Sequence, residues 1–248
     1  MNDLKPILSL QNVDKKFQGK SIIKDISFDL NPGEVISILG PSGCGKSTLI
    51  QLLCGFFPID SGTLTWNTDI LKGVVFQDSA LLPWSTVLKN VILPLRLQKL
   101  FTPQERLQKG KDILEKVGLS AFLQSYPHQI SGGMKMRVAL ARALILEPKV
   151  LLLDEPFASL DELTKLKLIE ELLNLWDKMK WSAVMITHSI QEALLLSHKV
   201  IILSSLPGQI KRIITVDEPF PRTLEFSFTD KYQKLKSEIQ HQLLRDLN

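Results

Sequence analysis

Nine consecutive residues, Gly40-Pro41-Ser42-Gly43-Cys44-Gly45-Lys46-Ser47-Thr48, constrain this chain more than anything else in it. Two glycines five positions apart, with Lys and Ser/Thr directly after the second, give the spacing of a loop that cradles phosphate. The glycines let the backbone curl until successive N–H groups point inward at anionic oxygens, and the start of a following helix adds a favourable partial charge. That chemistry demands a strand before the loop and a helix after it. Glu34 to Leu39 is a short apolar run, and Thr48 to Cys54 is helix-like, so both are legible. Lys46 is placed to reach the β- and γ-phosphates of a nucleotide, and Ser47 to ligate Mg2+. With glycine at about 7% of residues, chance produces this pattern in roughly one chain in a hundred of this length.

A second element supports the first. Val150-Leu151-Leu152-Leu153 runs directly into Asp154 and Glu155, and the C-terminal tip of a buried strand faces the ligand crevice of an α/β sheet. Asp154 is suited to hold the Mg2+ shell, and Glu155 to orient and polarise an attacking water. His188, just past a strand-like run ending at Thr187, is the candidate sensor of the γ-phosphate; position alone assigns no role to His128, His198 or His241.

The rest of the chain has α/β order. Ile26, Phe28 and Leu30 alternate with polar residues, Asn31-Pro32-Gly33 forms a turn, and 61–67 and 73–77 resemble two more strands. From Thr86 to Leu146 the spacing is helical, with Pro103 placed to open a helix that carries Ile113, Leu114 and Val117. Strand-like runs at Val150 to Leu153, Ala183 to Thr187 and Val200 to Leu203 then alternate with helices at 162–180 and 189–197, which predicts a parallel sheet. In the first of these helices Leu166, Ile169, Leu173 and Trp176 recur every three or four residues, as core packing requires. A last helix, about Asp230 to Leu247, follows the segment Glu218-Pro219-Phe220-Pro221 and is expected to be a small appendage.

Composition narrows the function classes. With 248 residues, 44% hydrophobic and 23% charged, the chain is long enough to bury a substantial core without staples. No apolar run approaches the roughly 18 residues that cross a bilayer, and Met1 to Pro6 lacks the layout of a secretory signal, so a cytoplasmic location is expected. Cys44 and Cys54 have neither zinc-site nor disulfide spacing and are expected to be packing thiols. The formal charge of +4 is uneven. Lys89 to Lys116 carries seven Lys/Arg against three Asp/Glu, and 117–149 carries four against one, so the basic surplus lies in the helical stretch. It points toward an anionic membrane leaflet, or equally a solvated helical face, rather than nucleic acid.

One segment separates this chain from other phosphate-loop hydrolases. Ser131-Gly132-Gly133-Met134, with Tyr126-Pro127-His128-Gln129-Ile130 before it and Arg137 to Leu144 after it, closely resembles the signature region of ABC transporter ATPase subunits. Ser131 is a good N-cap, and Gly132 and Gly133 let a phosphate approach the backbone, so the segment has the makings of a second anion-binding helix terminus. The resemblance extends over nearly the whole chain. It implies a phosphate-loop (RecA-like) α/β ATPase core with an N-terminal antiparallel β subdomain and a helical insert. The core and β subdomain would occupy about 1–85 and 147–216, the insert about 86–146, and a C-terminal extension about 217–248.

For the site, the resemblance implies an adenine-stacking Phe17, a Q-loop Gln77 that also faces the metal, and a D-loop at Ser159-Leu160-Asp161. It makes His188 the switch histidine. Ser131, Gly132, Gly133 and Asp161 would contact nucleotide held by a second copy, since two such subunits pack head to tail with ATP as glue. Phe17 stands where many relatives have Tyr, Ile130 where Leu is usual, Met134 where Gln is commoner, and Ser189 where Asp often follows the histidine; none of these removes a group assigned to hydrolysis.

ATP and Mg2+ are the implied cofactors, and the inner membrane's cytoplasmic face the implied location. The implied partners are a second ATPase subunit, integral membrane permease subunits and, indirectly, a substrate-binding protein. Gln77 to Trp84, Asp154 to Thr164 and Val200 to Gly208 look most like the ATPases of importers for nitrate, aliphatic sulfonates, taurine and related small solutes; pyrimidine-precursor importers share these features. Leu81, Leu82, Pro83 and Trp84 would suit the groove that receives a membrane subunit, or equally the packing of the insert on the core. The alternative is a soluble ABC-type ATPase acting on nucleic acid or ribosomes. Such proteins generally carry a long coiled-coil insert or two cassettes, and neither fits in 248 residues. A phosphate-loop kinase or GTPase would have no use for Ser131-Gly132-Gly133.

Overall fold

The computed structural model describes residues 5–67 and 70–244. The first four residues and the expected last helix beyond Leu244 therefore lie outside the described part. Leu8–Phe17 (β1), Lys20–Leu30 (β2) and Ser61–Trp66 (β4) form an antiparallel sheet in the order β2-β1-β4. The alternation expected at Ile26, Phe28 and Leu30 is present, and it is the facing strand β1 that the sequence pattern conceals. Its register slips between Leu10 and Val13 and again around Lys15, so apolar and polar residues fall out of step with a simple period of two.

The second sheet is larger. Val35–Leu39 (β3), Lys72–Val75 (β5), Val150–Asp154 (β6), Ser182–Ile186 (β7), Lys199–Leu203 (β8) and Ile210–Thr215 (β9) lie in the order β5-β6-β7-β3-β8-β9. Every pairing is parallel except the last, where β9 runs antiparallel to β8. This edge strand departs from the all-parallel expectation, and such an edge is common on doubly wound sheets.

The apolar runs are continuous because both faces of the sheet are covered. Val35, Leu151, Leu153, Ala183, Met185, Val200 and Ile202 belong to one buried cluster, while Ile36, Ile38, Val150, Leu152, Val184, Ile186, Ile201 and Leu203 belong to another. Successive strand residues point to opposite faces, so each strand feeds both cores. The first cluster takes in helices Gly132–Leu144 (α5), Glu162–Met179 (α6) and Ile190–Leu196 (α7). The second takes in Lys46–Cys54 (α1) and the antiparallel sheet.

The insert holds Val87–Val91 (α2), Leu93–Leu97 (α3) and Pro103–Lys116 (α4). Pro103 opens α4 as expected, inside a capping box made by Thr102 and Glu105. The C-terminal residues are more than an appendage. Phe226, with Tyr232 and Ile239 of Asp230–Leu244 (α8), is buried in the first cluster. Arg222, 4% exposed, donates to the carbonyls of Leu194, Ser197, Val216 and Glu218.

Candidate nucleotide and hydrolysis site

The sheet order brings three loops to one edge. β7 lies between β6 and β3, with Asp154 and Ile38 both registered to Ile186. Pairing continues past the strand ends: the Glu155 N–H donates to the Ile186 carbonyl at 3.0 Å and the Thr187 N–H to the Ile38 carbonyl at 3.2 Å. The chain segments that begin at Gly40, Asp154 and Thr187 therefore leave the sheet side by side.

Gly40 to Thr48 forms a tight loop into α1. Gly43 and Gly45 have φ of 77° and 100°, where an ordinary side chain would be strained. The helix has no side-chain N-cap and no acid in its first turn, which leaves its N–H groups unopposed for an anion. Lys46 is 6% exposed and its Nζ donates to the carbonyls of Gly40 at 2.9 Å and Pro41 at 2.8 Å. The ammonium is thus held over the loop by weak acceptors that phosphate oxygens outbid. Ser42, Gly43 and Ser47 are exposed, while Pro41, Gly45 and Thr48 are half-buried. Cys44 is buried, and that burial pushes its thiol up, so it is a packing residue as expected.

The loop leans on a residue whose role the sequence did not suggest. A Cβ at Gly208 would lie 2.2 Å from the Cys44 carbonyl oxygen. Gly208 is fixed there by its N–H to the Ile22 carbonyl at 2.9 Å and by the Lys24 N–H to its own carbonyl at 3.0 Å.

Ser47 Oγ donates to Asp154 Oδ1 at 3.3 Å, which joins the phosphate loop to the tip of β6. Burial raises the Asp154 pKa, partly countered by the Ser47 hydrogen bond. A carboxylate held in an environment that disfavours its charge, beside a hydroxyl, fits a hard cation with oxygen ligands. Among the described residues no three His, Cys, Asp or Glu side chains cluster to hold a metal. A cation here would complete its shell with phosphate oxygens and water, as Mg2+ does.

Glu155 follows with φ 47°, a left-handed conformation for a non-glycine residue. Its Oε2 lies 3.3 Å from His188 Nδ1, and the histidine is 60% exposed. Strained backbone of this kind persists where surrounding structure over-determines it. Here the β6–β7 pairing does so.

The remaining predicted residues lie around this centre or on the insert. Phe17 is half-buried and meets Phe57 edge-on, centroids 5.2 Å apart. The strand expected over 73–77 ends at Val75, so Gln77 stands exposed beyond its tip. Ser131 caps α5 by accepting the Met134 N–H at 3.3 Å, and Asp161 caps α6 by accepting the Thr164 N–H at 3.0 Å. These two caps adjoin: a Cβ at Gly133 would meet Thr164 Cγ2 at 2.5 Å, and one at Gly132 would reach Leu160. Ser131, Gly132 and Asp161 are exposed. Among the described residues, no hydrogen bond or ion pair joins Ser131, Gly132 or Gly133 to the phosphate loop. The phosphate loop and the Ser131 cap are therefore presented separately by one chain.

Known proteins share this fold. The ABC transporter family profile matches residues 23–158. The chain is 36% identical over 248 residues to the aliphatic sulfonates import ATP-binding protein SsuB of Bacillus cereus, covering 96% of each chain. It is 43% identical over 233 residues to the nitrate import ATP-binding protein NrtC of Synechococcus elongatus, covering 88% of this chain and 34% of that one. Among solved structures, an ATP-binding cassette in a dimeric post-hydrolysis state with ADP and Pi matches at TM-score 0.76 and 29% identity, over 86% of this chain and all of the other.

Proposed function

Since the chain belongs to the ABC transporter family and is an ATP hydrolase of that family, we propose that it powers an importer by dimerising on ATP and opening after hydrolysis. The observation that carries this reading is the convergence of Lys46, Ser47, Asp154, Glu155 and His188 at one sheet edge, with Ser131 to Gly133 presented separately on the insert.

In the proposed reaction the loop N–H groups and Lys46 hold the β- and γ-phosphates, while Phe17 stacks on adenine. Ser47, Asp154 and Gln77 would hold Mg2+, which would supply charge neutralisation at the phosphates. Glu155 accepts hydrogen bonding from the attacking water, and His188, beside it, contacts the γ-phosphate. Ser131, Gly132, Gly133 and Asp161 of one copy close over the nucleotide of the other. Loss of the bridging γ-phosphate then releases the pair, which turns chemistry into motion.

Among the described residues no helix is long and apolar enough to cross a membrane. The likeness to import ATP-binding proteins supports a translocation path on permease subunits, with a binding protein delivering solute. The chain would sit at the cytoplasmic face. The names of the relatives, import ATP-binding proteins for aliphatic sulfonates and for nitrate, support a sulfonate or nitrate as the solute; taurine or a similar small molecule is the wider reading of the sequence resemblance. Trp84, 74% exposed beside Leu82 and Pro83, is the proposed permease contact, and the basic insert the side nearest the leaflet.

Two measurements test the two halves. Phosphate release from Mg2+-ATP by the purified chain, with no acceptor substrate, is expected; release that needs a second substrate would contradict hydrolysis. Tagged chain extracted from native membranes should retain integral membrane subunits, and Trp84→Ala should weaken that assembly. Unchanged transport and assembly in Trp84→Ala would overturn the contact.

A further inference from the structure

The loop carrying His188 is anchored by a buried acid that the nucleotide site does not use. Glu192 is 3% exposed and lies in the first turn of α7. Its Oε2 accepts a hydrogen bond from Thr187 Oγ1. Its backbone N–H donates to Ser189 Oγ at 3.3 Å, and the Ser189 N–H donates to Thr187 Oγ1 at 3.0 Å. Thr187 and Ser189 flank His188: the first is tied to the carboxylate directly, and the second to the Glu192 backbone N–H and, through Thr187 Oγ1, to the same carboxylate. The other oxygen, Oε1, lies 3.3 Å from Lys165 Nζ, on α6. The Lys165 N–H in turn donates to the Asp161 carbonyl at 2.9 Å, in the first turn of the helix that Asp161 caps. At its far end α7 is gripped by Arg222 through the Leu194 and Ser197 carbonyls.

We infer that Lys165 and Glu192 are positioning residues for hydrolysis: they form a clamp that sets His188 against Glu155 and couples that placement to the Asp161 turn. A carboxylate buried to this depth is costly unless paired and hydrogen-bonded, and packing alone would be served by an apolar residue. Each oxygen instead serves a different element, one the histidine loop and one the helix behind the D-loop. Rotation of α6 when a second copy presses on Asp161 would pull Lys165, then Glu192, then the loop. The inference rests on the proposed role of His188 as the γ-phosphate contact.

The test uses the full chain, with histidine imidazoles labelled for NMR and the His188 signal identified by its loss in His188→Ala. Glu192→Gln and Lys165→Met should each lower kcat about tenfold through displacement of a reacting group, with KM for ATP within about twofold. Both should shift the His188 resonances and leave those of His128 and His241 in place. In the His188→Ala background, Glu192→Gln should cause no further loss, since it acts through the histidine. Unmoved His188 resonances or wild-type kcat in a folded variant would overturn the clamp, as would losses that multiply. Lys165→Met keeps the test open should Glu192→Gln fail to fold. A wild-type rate from His188→Ala is a different result: it would overturn the proposed role of the histidine, and with it the reason for a clamp.

Discussion

His188 Nδ1 lies 3.3 Å from Glu155 Oε2 although the two residues belong to different loops, after β7 and β6. Because those strands are parallel neighbours, their C-terminal tips are adjacent and the two side chains meet without any long-range loop having to fold over the site. The strand order thus does the positioning, and the residue types do the chemistry.

The Ser47–Asp154 contact predicts metal dependence. Ser47→Ala removes the hydroxyl on one side of the cation site, and turnover should fall about a hundredfold with a higher Mg2+ requirement. A Mg2+ titration of phosphate release at saturating ATP measures this. An unchanged Mg2+ profile would place the cation elsewhere.

Gly208→Ala should weaken ATP binding about tenfold, because the added methyl meets the Cys44 carbonyl, backbone that can yield only by moving the phosphate loop. Calorimetric titration with ATP in the absence of turnover is the measurement. Wild-type affinity would show that the loop tolerates the shift.

Arg222→Leu should destabilise the fold by about 3 kcal/mol, since the Leu194, Ser197 and Glu218 carbonyls would lose the donor that Arg222 supplies, while that of Val216 keeps the Glu218 N–H. Burial lowers the Arg222 pKa to about 10, which leaves the side chain charged at neutral pH. A fall in Tm of about 6–12 °C is expected for a chain of this size.

His198 predicts a pH dependence of stability. Its pKa is depressed below the usual 6.5, first by burial among Trp176 and Phe220 and then by Arg222. The unfolded chain therefore takes up the proton before the folded one does. Stability should be flat in this term above about pH 6.5 and fall as pH drops from there through the folded pKa. His198→Asn keeps an acceptor for the Val35 N–H, which now donates to Nδ1 at 3.0 Å, and should flatten that slope in thermal melts between pH 5 and 7.

Much of the candidate site is legible because phosphate chemistry leaves local marks: Gly40 to Thr48, Asp154-Glu155 and Ser131 to Gly133 are each contiguous. What stayed hidden depends on contacts distant in sequence. Gly208 matters through the backbone of Cys44, and Glu192 through Lys165 and Thr187. Their types alone suggest a turn and a solvated helix face. β1 was masked by its bulges, and β9 is an edge strand whose exposed residues carry little apolar pattern. The terminal segment looked detachable because its anchor, Arg222, is a charged residue serving as a buried hydrogen-bond hub.

The central claim is that ATP joins two copies and that Glu155 is needed to part them. Glu155→Gln keeps the phosphate loop, the metal site and both caps while removing the carboxylate beside His188. Light scattering on a size-exclusion column with Mg2+-ATP should give twice the 28.0 kDa of one chain for this variant, and the single-chain mass without nucleotide. A single-chain mass with saturating Mg2+-ATP, from a variant shown to bind it, would contradict the account.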